Sequence, residues 1–445
     1  MQTKREQWGS RWGFILATMG SAVGLGNIWR FSYAMGSNGG SAFLIIYLIS
    51  VILLGFPVML IEFSIGKRGQ ADAVEAFKKI APKSSWYIAG GLGVLASFLI
   101  LSFYGVIGGW SLRYTFEYLT GGITGDSQAF FLDFIGQSYA PVLWSLLFMA
   151  ITVGIVFLGV QKGIESSSKW MMPILSILVI GLAIYSLTLG GNAEAFAFMF
   201  QPEWSAFADP SVYLAAMGQA FFTLSLGMGI MLTYSSYLKP EERLTSSAAI
   251  IIALDTGFAL ISGLMIFPAL FAFGLDPSEG AGLVFVVLPV IFEALGGVGM
   301  LVGLVFFILL SLAALSSGIS LLEVSVAYFM RKLNMSRKKV TILVGSVIFL
   351  LGVPSSLSQG AVEITVLGSS FLDFMDLFTG NILLPLSALI SVVFFAWTWT
   401  KKEILEYTDL DKGSMGPSFI GLSKFVAPMA IGVVLFFGVF NWLFV

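Results

Sequence analysis

Apolar residues run through this chain in long blocks, and polar residues gather in the short stretches between them. Crossing a hydrocarbon layer of ~30 Å takes roughly 20 helical residues. Blocks near 11–34, 41–66, 87–119, 141–160, 166–190, 211–237, 246–274, 299–330, 339–356, 370–399 and 423–445 meet that length and predict helices 1 to 11. The pattern reads as an all-α polytopic membrane protein. Two longer connections, 191–210 and 275–298, predict structured loops. The second, "DPSEGAGLVFVVLPVIFEALGG", is apolar but broken by Gly and Pro. It reads as a pair of short helices capping one face, with a re-entrant segment as the alternative.

Helices 1 and 6 interrupt their own pattern. The stretch "TMGSAVGLGNIWRF" (18–31) places Gly20, Gly24, Gly26, Asn27 and Arg30 inside one span. Helix 6 echoes it: "TLSLGMG" (223–229) beside "SAVGLGN" (21–27), each with a small polar residue ahead of a G-x-G. The two helices cross in opposite directions. This predicts a 5+5 inverted repeat, helices 1–5 in 11–190 and 6–10 in 211–400, with a segment 1–10 before it and helix 11 within 401–445. Gly-interrupted spans in corresponding positions point to a transporter binding site. Glycine weakens a helix, and unwound backbone at membrane depth survives only where it lines a cavity or is buried in protein. Its carbonyls can then ligate a cation, and its N–H groups a carboxylate. Simple close packing of small residues is the alternative.

Composition narrows the classes. Only 11% of residues are charged and 57% are hydrophobic, with a mean hydropathy of +0.93, whereas soluble domains carry about 25% charged residues. The sequence has no Cys and no His, which removes thiol nucleophiles, disulfides, Cys/His metal sites and a histidine base. A net charge of −2 suggests no nucleic-acid partner. No cleavable signal is evident. With the N-terminus inside, 21 of the 23 Lys and Arg residues fall on inner segments, as the positive-inside rule requires. Arg30 and Arg113 are the exceptions, and eleven spans put the C-terminus outside. A bacterial inner-membrane location is expected. Oligomeric state is not legible.

Four stretches carry a resemblance: "REQWGSRWGFILATMGSAVGLGNIWRF", "NGGSAFLIIYL", "FPVMLIEFSIG" and "GQAFFTLSLGMG". Together they resemble the neurotransmitter:sodium symporter family, and its bacterial amino-acid branch most. The likeness extends from Arg5 to about residue 400. It implies sodium at two sites and no organic cofactor. Ala22, Asn27 and Thr223 match ligands of the first sodium. Gly20, Val23 and Ala313, by their carbonyls, and Ser316 and Ser317, by their hydroxyls in "AALSSGISLLE", match the second. All are oxygen donors, as a hard cation requires.

Asp255 in "IIALDTGFALISG" is a carboxylate in mid-span, costly unless paired or metal-bound. By resemblance it stands where other members place a sodium-ligating Asn. Ala259 stands where animal relatives place a chloride-ligating Ser. Chloride independence is the inference, with Asp255 supplying the charge; a structural salt bridge is the alternative. The resemblance places the substrate carboxylate at the Leu25 and Gly26 N–H groups and the Tyr104 hydroxyl. Its ammonium would meet Ala22, Phe222, Thr223 and Ser225, close to Ser21. Its side chain would meet Ile100, Phe222, Met228, Ser317 and Leu321. That pocket is apolar, which argues against a charged substrate. Met228 is pliable, so aliphatic and aromatic side chains both fit.

Gates are implied as well. Arg30 and Asp376 match an outer ion pair above a lid of Tyr104 and Phe222. Arg5 and Trp8 would pack near Ser236 and Tyr237 at the inner face. The acid that usually pairs with the N-terminal Arg is here Arg331, and Ser32 replaces a usual Pro. Gly163 and Pro173 match a pattern that unwinds helix 5 and wets the second sodium site; a static proline kink is the alternative. Glu62 is expected to accept hydrogen bonds from unwound helix 6. The implied activity is sodium-coupled import of neutral hydrophobic L-amino acids, not enzymatic. A sodium-independent exchanger, a channel or a sensor on the same scaffold are the alternatives.

Overall fold

The computed structural model describes residues 6–277, 283–411 and 415–444. Among them, nine helices are long and apolar enough to cross a membrane: Ser41–Gly69, Tyr87–Thr120, Ala140–Phe157, Val160–Ser186, Leu244–Ala272, Gly297–Leu333, Arg337–Leu357, Phe371–Thr398 and Met415–Phe440. These are helices 2 to 5 and 7 to 11. Backbone groups in lipid must be satisfied within the segment, which leaves the helix as the form such sequences take.

Helices 1 and 6 are each two pieces. Helix 1 runs over Arg11–Ala22, N-capped by the Ser10 hydroxyl, breaks at 23–25, and resumes as a wide turn Gly26–Arg30 and a helix Phe31–Ser37. Helix 6 runs over Pro210–Thr223 and Ile230–Ser235. Between its halves Ser225, Gly227 and Gly229 take φ of +52°, +76° and +72°. Left-handed backbone of this kind suits glycine and is rare for serine. The breaks fall at the first span of each predicted set of five. Helices 3 and 8 pack extensively on each other at the centre.

Two features differ from expectation. Among the described residues the connection 275–298 holds one short helical unit, Leu283–Val287 running into Leu288–Ala294, instead of a pair. Its inner side is buried against an aromatic cluster, with Phe285 5.8 Å from Trp110 and 5.2 Å from Tyr114, ring centre to ring centre. A small hairpin, Thr365–Val366 with Ser369–Ser370, also precedes helix 10. Leu367 and Gly368 turn it with φ of +50° and +85°, the sign a two-residue hairpin turn needs at both positions.

Candidate functional site

The break in helix 1 releases specific backbone groups. The Gly24 N–H would ordinarily pair with the Gly20 carbonyl; it donates instead to Asn27 Oδ1 at 3.2 Å. The Asn27 N–H turns to the Gly24 carbonyl at 3.2 Å, and so leaves the Val23 carbonyl. Leu25 and Gly26 lie in the first turn of the second piece, where N–H groups have no partner within the helix. Of the three glycines, only Gly24 sits in the break. Gly20 packs on Met172 and Ser316, and Gly26 on Phe222.

Three predicted residues meet in a wholly buried cluster. Asn27 Nδ2 donates to Asp255 Oδ1 at 2.8 Å, and Thr223 Oγ1 donates to the two Asp255 oxygens at 3.2 and 3.3 Å. No ion pair reaches Asp255 among the described residues, so the salt-bridge alternative is not supported. A carboxylate buried among neutral donors is poorly compensated, and a cation would complete it. Asn27, Thr223 and Asp255 thus bring together side-chain oxygens, the donor type a hard cation prefers.

A second cluster lies on helix 8. Ser316 Oγ stands 2.8 Å from the Ala313 carbonyl and 3.3 Å from the Val23 carbonyl. Gly20 borders it. Ser317 turns away, its hydroxyl donating to the Ser21 carbonyl at 3.1 Å.

A narrow central cavity is lined by twelve residues. Ten were expected: Ser21, Ala22, Gly26, Ile100, Tyr104, Phe222, Ser225, Met228, Ser317 and Leu321; the others are Gly24 and Ile230. Thr223 belongs to the Asp255 cluster, and Leu25 lines a vestibule on the face opposite the N-terminus. The Tyr104 hydroxyl is buried with no hydrogen-bond partner among the described residues. Tyr104 and Phe222 line both the cavity and the vestibule, and so separate them. Arg30 and Asp376 both line that vestibule, but no ion pair joins them. The Arg30 guanidinium lies 4.3 Å from the centre of the Phe222 ring, a cation–π contact.

At the N-terminal face, Trp8 is buried under the cavity. Its Nε1 donates to the Tyr234 carbonyl at 2.8 Å and its N–H to the Tyr237 carbonyl at 3.2 Å. The Tyr237 hydroxyl donates to Glu323 at 2.6 Å, and Arg337 grips Glu323 with two bonds of 2.5 and 2.9 Å. Arg331 pairs with Asp72 and Glu75. Arg5 lies outside the described residues. Gly163 and Pro173 sit in a helix 5 that is wound through both positions.

A family model for the sodium:neurotransmitter symporter family matches residues 5–128 and 131–443. The chain belongs to this family. It is thus a sodium-dependent transporter of the sodium:neurotransmitter symporter family and not an enzyme. The crystal structure of MhsT in complex with L-phenylalanine is similar over 98% of this chain and 100% of that one, at 54% identity and a TM-score of 0.92. An uncharacterized sodium-dependent transporter of Bacillus subtilis is 42% identical, over 97% of each chain. One from Haemophilus influenzae is 36% identical, over 98% of this chain and 99% of that one.

Several positioning residues escaped the sequence. Gln219 Nε2 ties helix 6 to the Gly26 carbonyl at 2.7 Å, and the Ser97 hydroxyl holds the Met228 carbonyl at 2.5 Å. Ser320 donates to the Ser21 hydroxyl at 2.8 Å. A lone Gln or Ser in a span carries no signal, because its partner here, a backbone carbonyl or another hydroxyl, is far away in sequence. Glu62 does reach the break, accepting the Gly227 N–H at 2.8 Å.

Proposed function

We propose that this symporter-family chain couples inward sodium movement to the import of neutral, hydrophobic L-amino acids, aliphatic or aromatic, by alternating access. The observation that carries the reading is the wholly buried Asp255 carboxylate, held among the described residues by Asn27 and Thr223, near an apolar cavity. Sodium would satisfy Asp255, Asn27 and Thr223. The substrate carboxylate would then reach that sodium, the N–H groups of Leu25 and Gly26, and the unpartnered Tyr104 hydroxyl. The ammonium would take the carbonyls of Ala22, Phe222 and Thr223 and the Ser225 hydroxyl. Each ligand thereby raises the affinity of the other. A second sodium would bind at the Ser316 cluster.

The side-chain end is framed by Ile100, Met228, Ile230 and Leu321, which suits apolar groups and penalises a charge. MhsT, which this chain resembles, was solved with L-phenylalanine; that supports the aromatic end of the range. A channel fits less well, because the rings of Tyr104 and Phe222 stand between the cavity and the vestibule. In this reading the N-terminal face is cytoplasmic, and Arg30 and Asp376 draw together when the vestibule shuts. Inward movement of each sodium charge gains ~2.3 kcal/mol per 100 mV. Asp255 makes chloride unnecessary.

Uptake of labelled phenylalanine and leucine into proteoliposomes tests this. It should need a sodium gradient and proceed unchanged in chloride-free buffer. Asp255→Asn should weaken sodium activation by roughly tenfold or more, since charged hydrogen-bonded groups contribute about 1.5–3 kcal/mol. Uptake indifferent to sodium would overturn the proposal.

A further inference from the structure

Carboxylates cross in both directions between the N-terminal segment and the start of helix 5. Glu6 Oε2 accepts the Val160 N–H at 2.8 Å, and Glu6 Oε1 takes Arg337 Nε at 3.0 Å. Val160 opens helix 5 directly after Gly159, whose φ is +92°. Its N–H is one of those a helix start leaves unpaired. Glu165 answers from helix 5. Its Oε2 accepts the Gly9 N–H at 2.7 Å, and its Oε1 accepts the Ser10 hydroxyl at 3.1 Å. Ser10 is itself the N-cap of helix 1, accepting the Gly13 N–H at 2.9 Å. Each segment therefore supplies a carboxylate that satisfies the other's start.

The fit leaves no slack. A Cβ at Gly13 would lie 2.2 Å from Glu165 Oε1, and one at Gly9 3.2 Å from both carboxylate oxygens. Glu165 is 3% exposed, and Lys169 is its remaining partner at 2.7 Å. Further along the same two helices, Gly20 faces the Met172 side chain beside Ser316.

We propose that Glu6 and Glu165 form a reciprocal clasp that makes release of the start of helix 1 and unwinding of helix 5 one event. The proposal rests on the alternating-access reading above. If helix 5 unwinds alone, Glu165 leaves Gly9 and Ser10, and the Val160 N–H leaves Glu6. If helix 1 swings out alone, the same three bonds break. These part-buried groups then lose their partners in either case, a cost that falls when both segments move together into water. Sodium bound between Gly20, Val23 and Ser316 would hold helix 1 to helix 8, where Met172 of helix 5 packs at Gly20, so its departure would loosen the contact that both moving segments share. Glu6 and Glu165 are positioning residues in this scheme and touch neither sodium nor substrate.

The chain contains no Cys, so single reporters are simple to place. Thr18→Cys reports on helix 1 and Ser168→Cys on helix 5; both positions are buried. Labelling by a membrane-impermeant thiol reagent is timed in sodium and in potassium, in protein reconstituted with its N-terminal face accessible. In the otherwise native chain, sodium should slow labelling at both sites. Glu165→Gln keeps the volume but turns one acceptor into a donor, and it should cut sodium protection about tenfold at both reporters. Glu6→Gln should do the same, and the double variant should go no further than either. Lys169→Gln removes an ion pair at Glu165 Oε1 but leaves the Gly9, Ser10 and Val160 bonds possible, so it should reduce protection far less than Glu165→Gln. Glu6 is well exposed, so Glu6→Gln carries the test should Glu165→Gln fail to fold. Loosening at one reporter alone, additive effects, or unchanged protection in the variants would overturn the clasp. Sodium-indifferent labelling in the native chain would overturn the alternating-access reading and the clasp with it.

Discussion

At the scale of single residues, the site depends on where side chains are missing as much as on those present. A Cβ at Gly24 would fall 2.2 Å from Ser317 Oγ, whereas one at Gly20 would meet only the Met172 thioether end, at 3.2 and 3.3 Å, and Ser316 Cβ at 3.4 Å. Gly24→Ala should therefore push Ser317 off the Ser21 carbonyl and reduce uptake by roughly tenfold or more. Met is pliable, so Gly20→Ala should stay within about twofold. Both variants should reach the membrane in similar amounts, and initial uptake rates separate them; equal losses would contradict the packing argument. Asp255 was conspicuous in the sequence because a charge in mid-span is rare. Its donors were not deducible from spacing, since Asn27, Thr223 and Asp255 lie on three different helices. Ser317 shows the limit of residue-by-residue transfer: its hydroxyl serves helix 1 at Ser21 in this structure, not the Ser316 cluster.

At the scale of elements, the breaks in helices 1 and 6 were legible because the two Gly-interrupted spans echo each other and the family resemblance implies unwinding there; glycine spacing alone also fits close packing. The short hairpin before helix 10 and the single cap helix were not: the hairpin rests on a left-handed turn at Leu367, a residue that gives no turn signal, and the cap helix on contacts of Phe285 with the distant Trp110 and Tyr114. Connections at the N-terminal face are built more firmly than their polarity suggests. Thr400 and Glu403 form a capping box on the short helix Lys401–Tyr407. Glu403 also bonds Arg68 at 2.7 Å, and the Arg68 guanidinium lies 4.3 Å from the Trp399 ring centre and 4.9 Å from that of Tyr407. The Thr400 backbone N–H, ahead of Arg68, holds the Glu403 carboxyl below its usual range. A carboxyl lowered on folding contributes stability above its unfolded value, about 4.3, and that contribution is lost as pH falls through the folded value. Glu403→Gln should accordingly lower the melting temperature at pH 7 and lose that effect near pH 3, as thermal unfolding in detergent can measure.

At the scale of the whole molecule, the charge bias assigns the faces and the fold assigns what each face does. The N-terminal face carries a buried ion pair of Glu323 with Arg337 and a half-exposed one of Asp72 with Arg331, while the other carries an open vestibule ending at Tyr104 and Phe222. If the N-terminal face is cytoplasmic, an impermeant thiol reagent should label Ser138→Cys in intact cells and reach Lys83→Cys only after lysis. Both positions are exposed. The reverse pattern would invert the topology.

The sequence by itself determined the spans, the broken helices, the family and most of the cavity lining, because hydrocarbon allows few backbone forms and penalises every stray polar group. It also named Arg30, Asp376 and Trp8 as gate residues. Only the tertiary structure decided how those parts meet: Arg30 over Phe222 and not on Asp376, Arg331 turned to Asp72, Arg337 closed on Glu323, and Glu6 and Glu165 exchanged across helices 1 and 5. Such pairings depend on which helix ends lie side by side. A charge in a connecting segment finds its partner by proximity in space, and the order of residues along the chain does not encode that proximity locally.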